Sequence, residues 1–281
     1  MENILQGKFP HMITALIDVA EQKTYHHHHD FAKLKRFAAG HADVESRSGD
    51  YFRWRGMEHP FQYDYHVRRD DGEIAYSVNL RLRMVKPPLV LNGTGYIALP
   101  KGISGYYSQT RLEAEGDLLI NGVRKKVRGV HWVDRQWLGV SFVGNLHYSY
   151  EWWALQLDNN EEAILFRIWD ATTDEIAMTH LSINHADGRQ EQVSSFSLEE
   201  TASGWRLSAP QVGWELKILP VFEDQKTWQT CDVRGTIAGK PVRGVAVAEL
   251  AKDIVQKFSD LLPVAPSQES QEKEPQTPGN P

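Results

Sequence analysis

The run Gly129–Gly139, GVHWVDRQWLG, places an ionisable carboxylate, Asp134, among tryptophans at the end of an apolar stretch. In an extended chain side chains alternate, so Val130, Trp132 and Asp134 share one face while His131, Val133 and Arg135 share the other. The acid therefore sits with the apolar residues. A carboxyl group in that setting either meets a cation or keeps its proton at neutral pH. A retained proton is what an enzyme needs to protonate an unreactive substrate. Two readings follow: Asp134 as a proton donor, or Asp134 as a structural acid paired with Arg135 or Arg111.

Strands must position this group. Ile74–Val85 alternates, with Val78, Leu80, Leu82 and Met84 on one face and Asn79, Arg81 and Arg83 on the other, which predicts a half-buried antiparallel strand. Turn chemistry recurs at short intervals, including Asn92-Gly93, Asn121-Gly122, Asp187-Gly188, Ser203-Gly204 and Ala238-Gly239. Many hairpins at such spacing predict sheets closed into barrels or sandwiches. Helical periodicity is confined to Ala248–Leu262, where Leu250, Ile254 and Phe258 form a stripe that Pro263 ends, and to the very short Lys33–Phe37. The proline-rich, polar segment from residue 264 to 281 is expected to be disordered.

With 281 residues the chain has ample room for buried cores, and its single cysteine, Cys231, excludes an internal disulfide and a cysteine metal cluster. A net charge of -6 without a concentrated basic face makes nucleic acid an unfavourable partner. Apolar runs are far too short for a membrane-spanning helix, and the N-terminus lacks a signal pattern, so a cytoplasmic location is expected. The run His26–His29 invites a metal, but adjacent side chains diverge, and a polar strand end or loop is the simpler reading. No metal or cofactor is expected. Gly93-Thr94-Gly95 lacks the context of a dinucleotide loop, and Ser104 and Ser108 sit in no nucleophile elbow.

The chain also echoes itself. Ile120–Asp134 and Ile237–Glu249 each run isoleucine, turn glycine, basic residues, Val-Arg-Gly-Val, then a carboxylate five residues after the second glycine. This predicts two copies of one β unit. The first copy carries Trp132 beside its acid where the second carries Val247, so chemistry is expected at the first.

The segment from Tyr106 to Asp170, with Tyr106-Tyr107-Ser108, then Gly129 to Gly139, then the tryptophan-rich Tyr150–Trp153, resembles the AttH and carotenoid 1,2-hydratase family of paired lipocalin-like domains. The resemblance implies an all-β protein of two lipocalin-like antiparallel β-barrels with a short C-terminal helix. The domains would span residues 1–139, lacking part of the N-terminal strands, and 140–263. In the carotenoid hydratases it implies acid-catalysed addition of water to an isolated double bond without a cofactor. The proton-donating aspartate falls on Asp134, the aromatic residue two positions earlier on Trp132, and an upstream aromatic pair near Tyr106 and Tyr107. Where those hydratases place a histidine just before the pair, this chain has Gly105.

Protonating a trisubstituted alkene makes a tertiary cation, so such a site needs a neutral acid, π faces for the charge and a water ready to attack. Asp134 with Trp132 is the catalytic expectation, and Tyr106, Tyr107, Trp137, Trp152 and Trp153 are the substrate-binding one. Each cation–π contact is worth roughly 0.5–2 kcal/mol. His131 faces away from Asp134, and His147 reaches the site only if its loop folds over it. The expected reaction is hydration, isomerisation or cyclisation of a lipophilic isoprenoid or polyene, as by a hydro-lyase or an isomerase. The alternative is a carrier that binds a hydrophobic small molecule without turnover.

Overall fold

The computed structural model describes residues 12–251, apart from 30–31, 39–40, 47–48, 58–61, 71, 100–101, 139–147, 171–172 and 223–227. Every strand pairing in it is antiparallel. Among the described residues, strands β1 (Met12–Asp18) and β2 (Lys23–His29) pair only with each other. The first nine-stranded sheet holds β3 (Ala32–Ala38), β4 (His41–Ser46), β5 (Tyr51–Met57), β6 (Gln62–Asp70), β7 (Ala75–Met84), β8 (Leu89–Val90), β9 (Tyr96–Leu99), β10 (Gly102–Ile120) and β11 (Val123–Leu138). The second holds β12 (Tyr148–Leu157), β13 (Glu162–Asp170), β14 (Ile176–Asn184), β15 (Gln190–Val193), β16 (Ser197–Thr201), β17 (Gly204–Ala209), β18 (Trp214–Pro220), β19 (Trp228–Ile237) and β20 (Lys240–Ala251). The molecule is thus all-β, built of curled antiparallel sheets. Among the described residues no helix is long and apolar enough to cross a membrane.

The predicted alternation of Ile74–Val85 becomes β7, with Tyr76 and Leu82 buried and Asn79, Arg81 and Arg83 exposed. The two echoing segments are equivalent hairpins. Asn121 and Gly122 turn at φ 45° and 83°, and Ala238 and Gly239 at 48° and 77°, the paired positive φ of a type I′ turn. The helical expectations fare differently. Lys33–Phe37 lies in β3, where pairing with β4 overrides a short local preference. Ala248–Ala251 continue β20 because their backbone pairs with β12, and the rest of that span lies outside the described residues.

The concave side of the second sheet is filled by its own side chains, among them Trp153, Leu155, Leu165, Leu181, Trp214 and Ile218, all fully buried. A smaller core in the first sheet gathers Trp54, Tyr63, Leu82, Leu112 and Val133. The two sheets are joined through a bulge. Between Gln109 and Leu112 the register of β10 against β11 slips by one residue. At that point Thr110 and Arg111 turn to the second sheet, where Glu162 accepts hydrogen bonds from Arg111 Nε at 2.5 Å, Lys86 Nζ at 2.7 Å and Thr110 Oγ1 at 3.2 Å. Glu162 is fully buried, so two cations converge on one desolvated carboxylate.

Candidate functional site

The hairpin β10–β11 sets Ser108 directly opposite Asp134 and Tyr106 opposite Gln136, so the alternating residues Tyr106, Ser108, Trp132 and Asp134 share one face. That face lies against the outer side of the second sheet, where Trp152 of β12 and Ile164 and Phe166 of β13 meet Leu89 and Ile97 of the first and Leu91 of the turn between β8 and β9. The site is therefore at the junction of the sheets, outside the packed interior of the second.

Asp134 Oδ1 accepts a hydrogen bond from Ser108 Oγ at 2.7 Å and another from Trp132 Nε1 at 2.7 Å. The Tyr106 hydroxyl also bonds to Asp134, while its oxygen accepts from Trp152 Nε1 at 3.0 Å. A directed chain results: the Trp152 indole donates to Tyr106, and Tyr106 donates to the carboxylate. Phe166 meets the Tyr106 ring edge-on at 5.2 Å, and Trp152 meets Trp132 edge-on at 6.3 Å.

No ion pair reaches Asp134 among the described residues. Arg111 is taken by Glu162, and the Arg135 guanidinium lies on the other face, 4.0 Å over the Trp54 ring. Burial pushes the Asp134 carboxyl above its ordinary value of 3.8, and the bonds from Ser108, Trp132 and Tyr106 and the charge of Arg135 oppose that rise without cancelling it. Burial together with the Asp134 charge pushes the Tyr106 hydroxyl well up, so it stays protonated and acts as a donor. The arrangement favours a proton on Asp134 and supplies fixed neutral donors for the carboxylate left when that proton departs.

The AttH-like family model matches residues 6–234. The chain belongs to the AttH-like family. An AttH protein from Nitrosomonas europaea has a similar fold, with a TM-score of 0.62 at 20% identity over 84% of this chain and 80% of that one. Kievitone hydratase from Nectria haematococca is more distant, with a TM-score of 0.52 at 12% identity over 78% and 87%. No functionally curated protein matches the sequence.

In this AttH-like chain the residues singled out from sequence divide. Asp134, Trp132, Tyr106 and Trp152 come together. Tyr107 and Trp137 pair with Arg135 and Gly105 and so face away from Asp134, their rings 6.2 Å apart. Trp153 points the other way from Trp152 and is fully buried, edge-on to Trp205 at 4.8 Å. The position of the hydratase histidine has no room for a side chain, because a Cβ on Gly105 would lie 1.9 Å from the Trp137 ring. His131 is on the far face beside Tyr65, and burial pushes it down to about 4, leaving it neutral. His147 lies outside the described residues, and His26–His29 pair along Met12–Ala15 of β1. No group of three metal-ligating side chains occurs among the described residues.

Sequence reasoning missed Ser108 as a partner of Asp134, although it shares alternation with Tyr106. It also passed over Phe166 and Glu249. Glu249 was marked only by the internal echo, which directed attention to the other copy.

Proposed function

We propose that this protein is an acid catalyst acting on a lipophilic alkene, with Asp134 as the proton donor. The observation that carries this reading is the company Asp134 keeps: neutral hydrogen-bond donors and indole and phenol rings, with no ion pair among the described residues. Protonation uses the alkene π pair to form a C–H bond as the Asp134 O–H bond breaks, leaving a carbocation beside the rings of Trp132, Trp152 and Phe166. Ser108, Trp132 and Tyr106 hold the carboxylate so formed. The cation then adds water, loses a neighbouring proton or closes a ring, giving hydration, isomerisation or cyclisation. An isoprenoid or polyene supplies the trisubstituted alkene this chemistry requires. The likeness to a hydratase is consistent with the first outcome. The division into units of 1–139 and 140–263 is part of the same proposal, supported by the first sheet's last strand at Leu138 and the second's first at Tyr148.

Incubating a lipophilic metabolite extract in D₂O with wild type or Asp134→Asn, followed by mass spectrometry, tests the reading. A compound that gains water or rearranges with deuterium uptake only in the wild-type sample is the expected result. Enrichment of the same unchanged compound by both proteins would establish a carrier instead.

A further inference from the structure

We propose that Glu249, held by Tyr150 and Trp228, is a second catalytic carboxyl group of this site and receives the proton that Asp134 chemistry must dispose of. The inference rests on the acid-catalyst reading above. Glu249 lies on β20, where its direct cross-strand neighbours are Trp152 of β12 and Trp228 of β19. Paired residues in a sheet point to the same face with Cβ atoms about 5 Å apart. Glu249 thus stands beside the Trp152 indole, on the face turned toward Asp134 rather than toward the packed core. Trp152 meets Trp132 edge-on, and Trp132 donates to Asp134. Two carboxyl groups therefore flank one pair of indoles.

Three further observations favour a proton-handling role. Glu249 Oε1 accepts a hydrogen bond from the Tyr150 hydroxyl at 3.0 Å, the Trp228 indole bonds to the same carboxylate, and no ion pair reaches it among the described residues. The buried glutamates 151 and 162, by contrast, bind Arg167, and Arg111 and Lys86. Val245 and Val247, on the same face of β20, are 46% and 41% exposed, so water can approach Glu249 along that strand. Glu249 also occupies the position of Asp134 in the sequence echo, five residues after Gly244 as Asp134 is after Gly129. The two hairpins present equivalent carboxyls to one junction.

The groups facing Glu249 are Tyr150 from β12, Trp228 from β19 and Asp134 from β11. Burial raises the Glu249 carboxyl, as does the charge of Asp134, while Tyr150 and Trp228 oppose the rise. In the proposed cycle Asp134 gives the proton and Glu249 takes one. In hydration, water forms a C–O bond to the cation and the proton it sheds passes to the Glu249 carboxylate. Alkene and water become an alcohol, Asp134 ends as carboxylate and Glu249 as acid, and proton exchange with solvent resets the pair. In isomerisation or cyclisation Glu249 takes the proton from carbon instead.

The experiment uses the same extract in D₂O with wild type, Asp134→Asn, Glu249→Gln and Tyr150→Phe. Glu249→Gln is expected to retain protonation and so to place deuterium in recovered substrate, while forming final product at least about a hundred-fold more slowly. Asp134→Asn is expected to do neither. Tyr150→Phe, which keeps the carboxylate, serves if Glu249→Gln does not fold, and is expected to raise the ratio of exchanged substrate to product. Wild-type product rates and an unchanged ratio in these variants, with turnover still lost in Asp134→Asn, would overturn the role of Glu249 alone. Wild type converting nothing would overturn the acid-catalyst reading and this inference with it.

Discussion

Two carboxylates at the junction of the sheets are held in opposite ways. Glu162 is fully buried at the clasp between the sheets and meets Arg111 and Lys86, two cations on one carboxylate. Asp134, also at the junction, meets a serine, an indole and a phenol, none of which carries charge. Removing a partner from a desolvated ion pair leaves an uncompensated charge, so Glu162 is committed to holding the sheets together. An acid held by neutral donors can exchange its proton without leaving a cation unpaired. The difference lies in the partners, since both residues lie between the same two sheets.

The largest effect expected from this contrast is on turnover. Asp134→Asn keeps the hydrogen-bond acceptor but not the acid and should lower product formation by about 10²–10⁴, with the fold intact by circular dichroism. Retained activity would reduce Asp134 to a strand tie. Glu162→Gln should act on stability instead. Leaving Lys86 and Arg111 without their carboxylate should cost about 3–5 kcal/mol in urea denaturation, and a loss below 1 kcal/mol would remove the clasp from the comparison.

A smaller effect concerns pH. The folded protein holds the Asp134 proton more tightly than the unfolded chain does, so this group's contribution to stability is full below its ordinary value of 3.8. It is lost as pH rises through the raised folded value. Asp134→Asn lacks that loss. The melting temperature of wild type relative to this variant should therefore fall as pH is raised from 3.5 toward 8, and a constant difference would contradict the raised carboxyl. The smallest expected effects distinguish the two faces of β10. Tyr106→Phe, which removes a donor to Asp134, should lower turnover by roughly tenfold. Tyr107→Phe, on the opposite face, should leave it within about twofold.

Much of the arrangement around Asp134 follows from local rules. A strand's side chains alternate whatever lies around it, so the separation of Trp132 and Asp134 from His131 and Arg135 was readable in the run itself. Alternation also puts Tyr107 on the face opposite Tyr106, so the family-like aromatic pair does not form one surface. Trp152 and Trp153 present the same case, with one tryptophan at the junction and the other in a core.

Alternation, the type I′ turns and the echo of the two hairpins are properties of the chain over a few residues, set by backbone sterics and strand periodicity. The sequence by itself therefore determined an all-β molecule and which neighbours of Asp134 share its face. Only the tertiary structure decided which face of each strand met the other sheet. It gave Arg111 to Glu162 rather than to Asp134, carried Ala248–Ala251 on as strand, and brought Glu249 to the junction from more than a hundred residues away. Those outcomes depend on long-range pairing and on which charges find partners as water is excluded, and no local pattern encodes either.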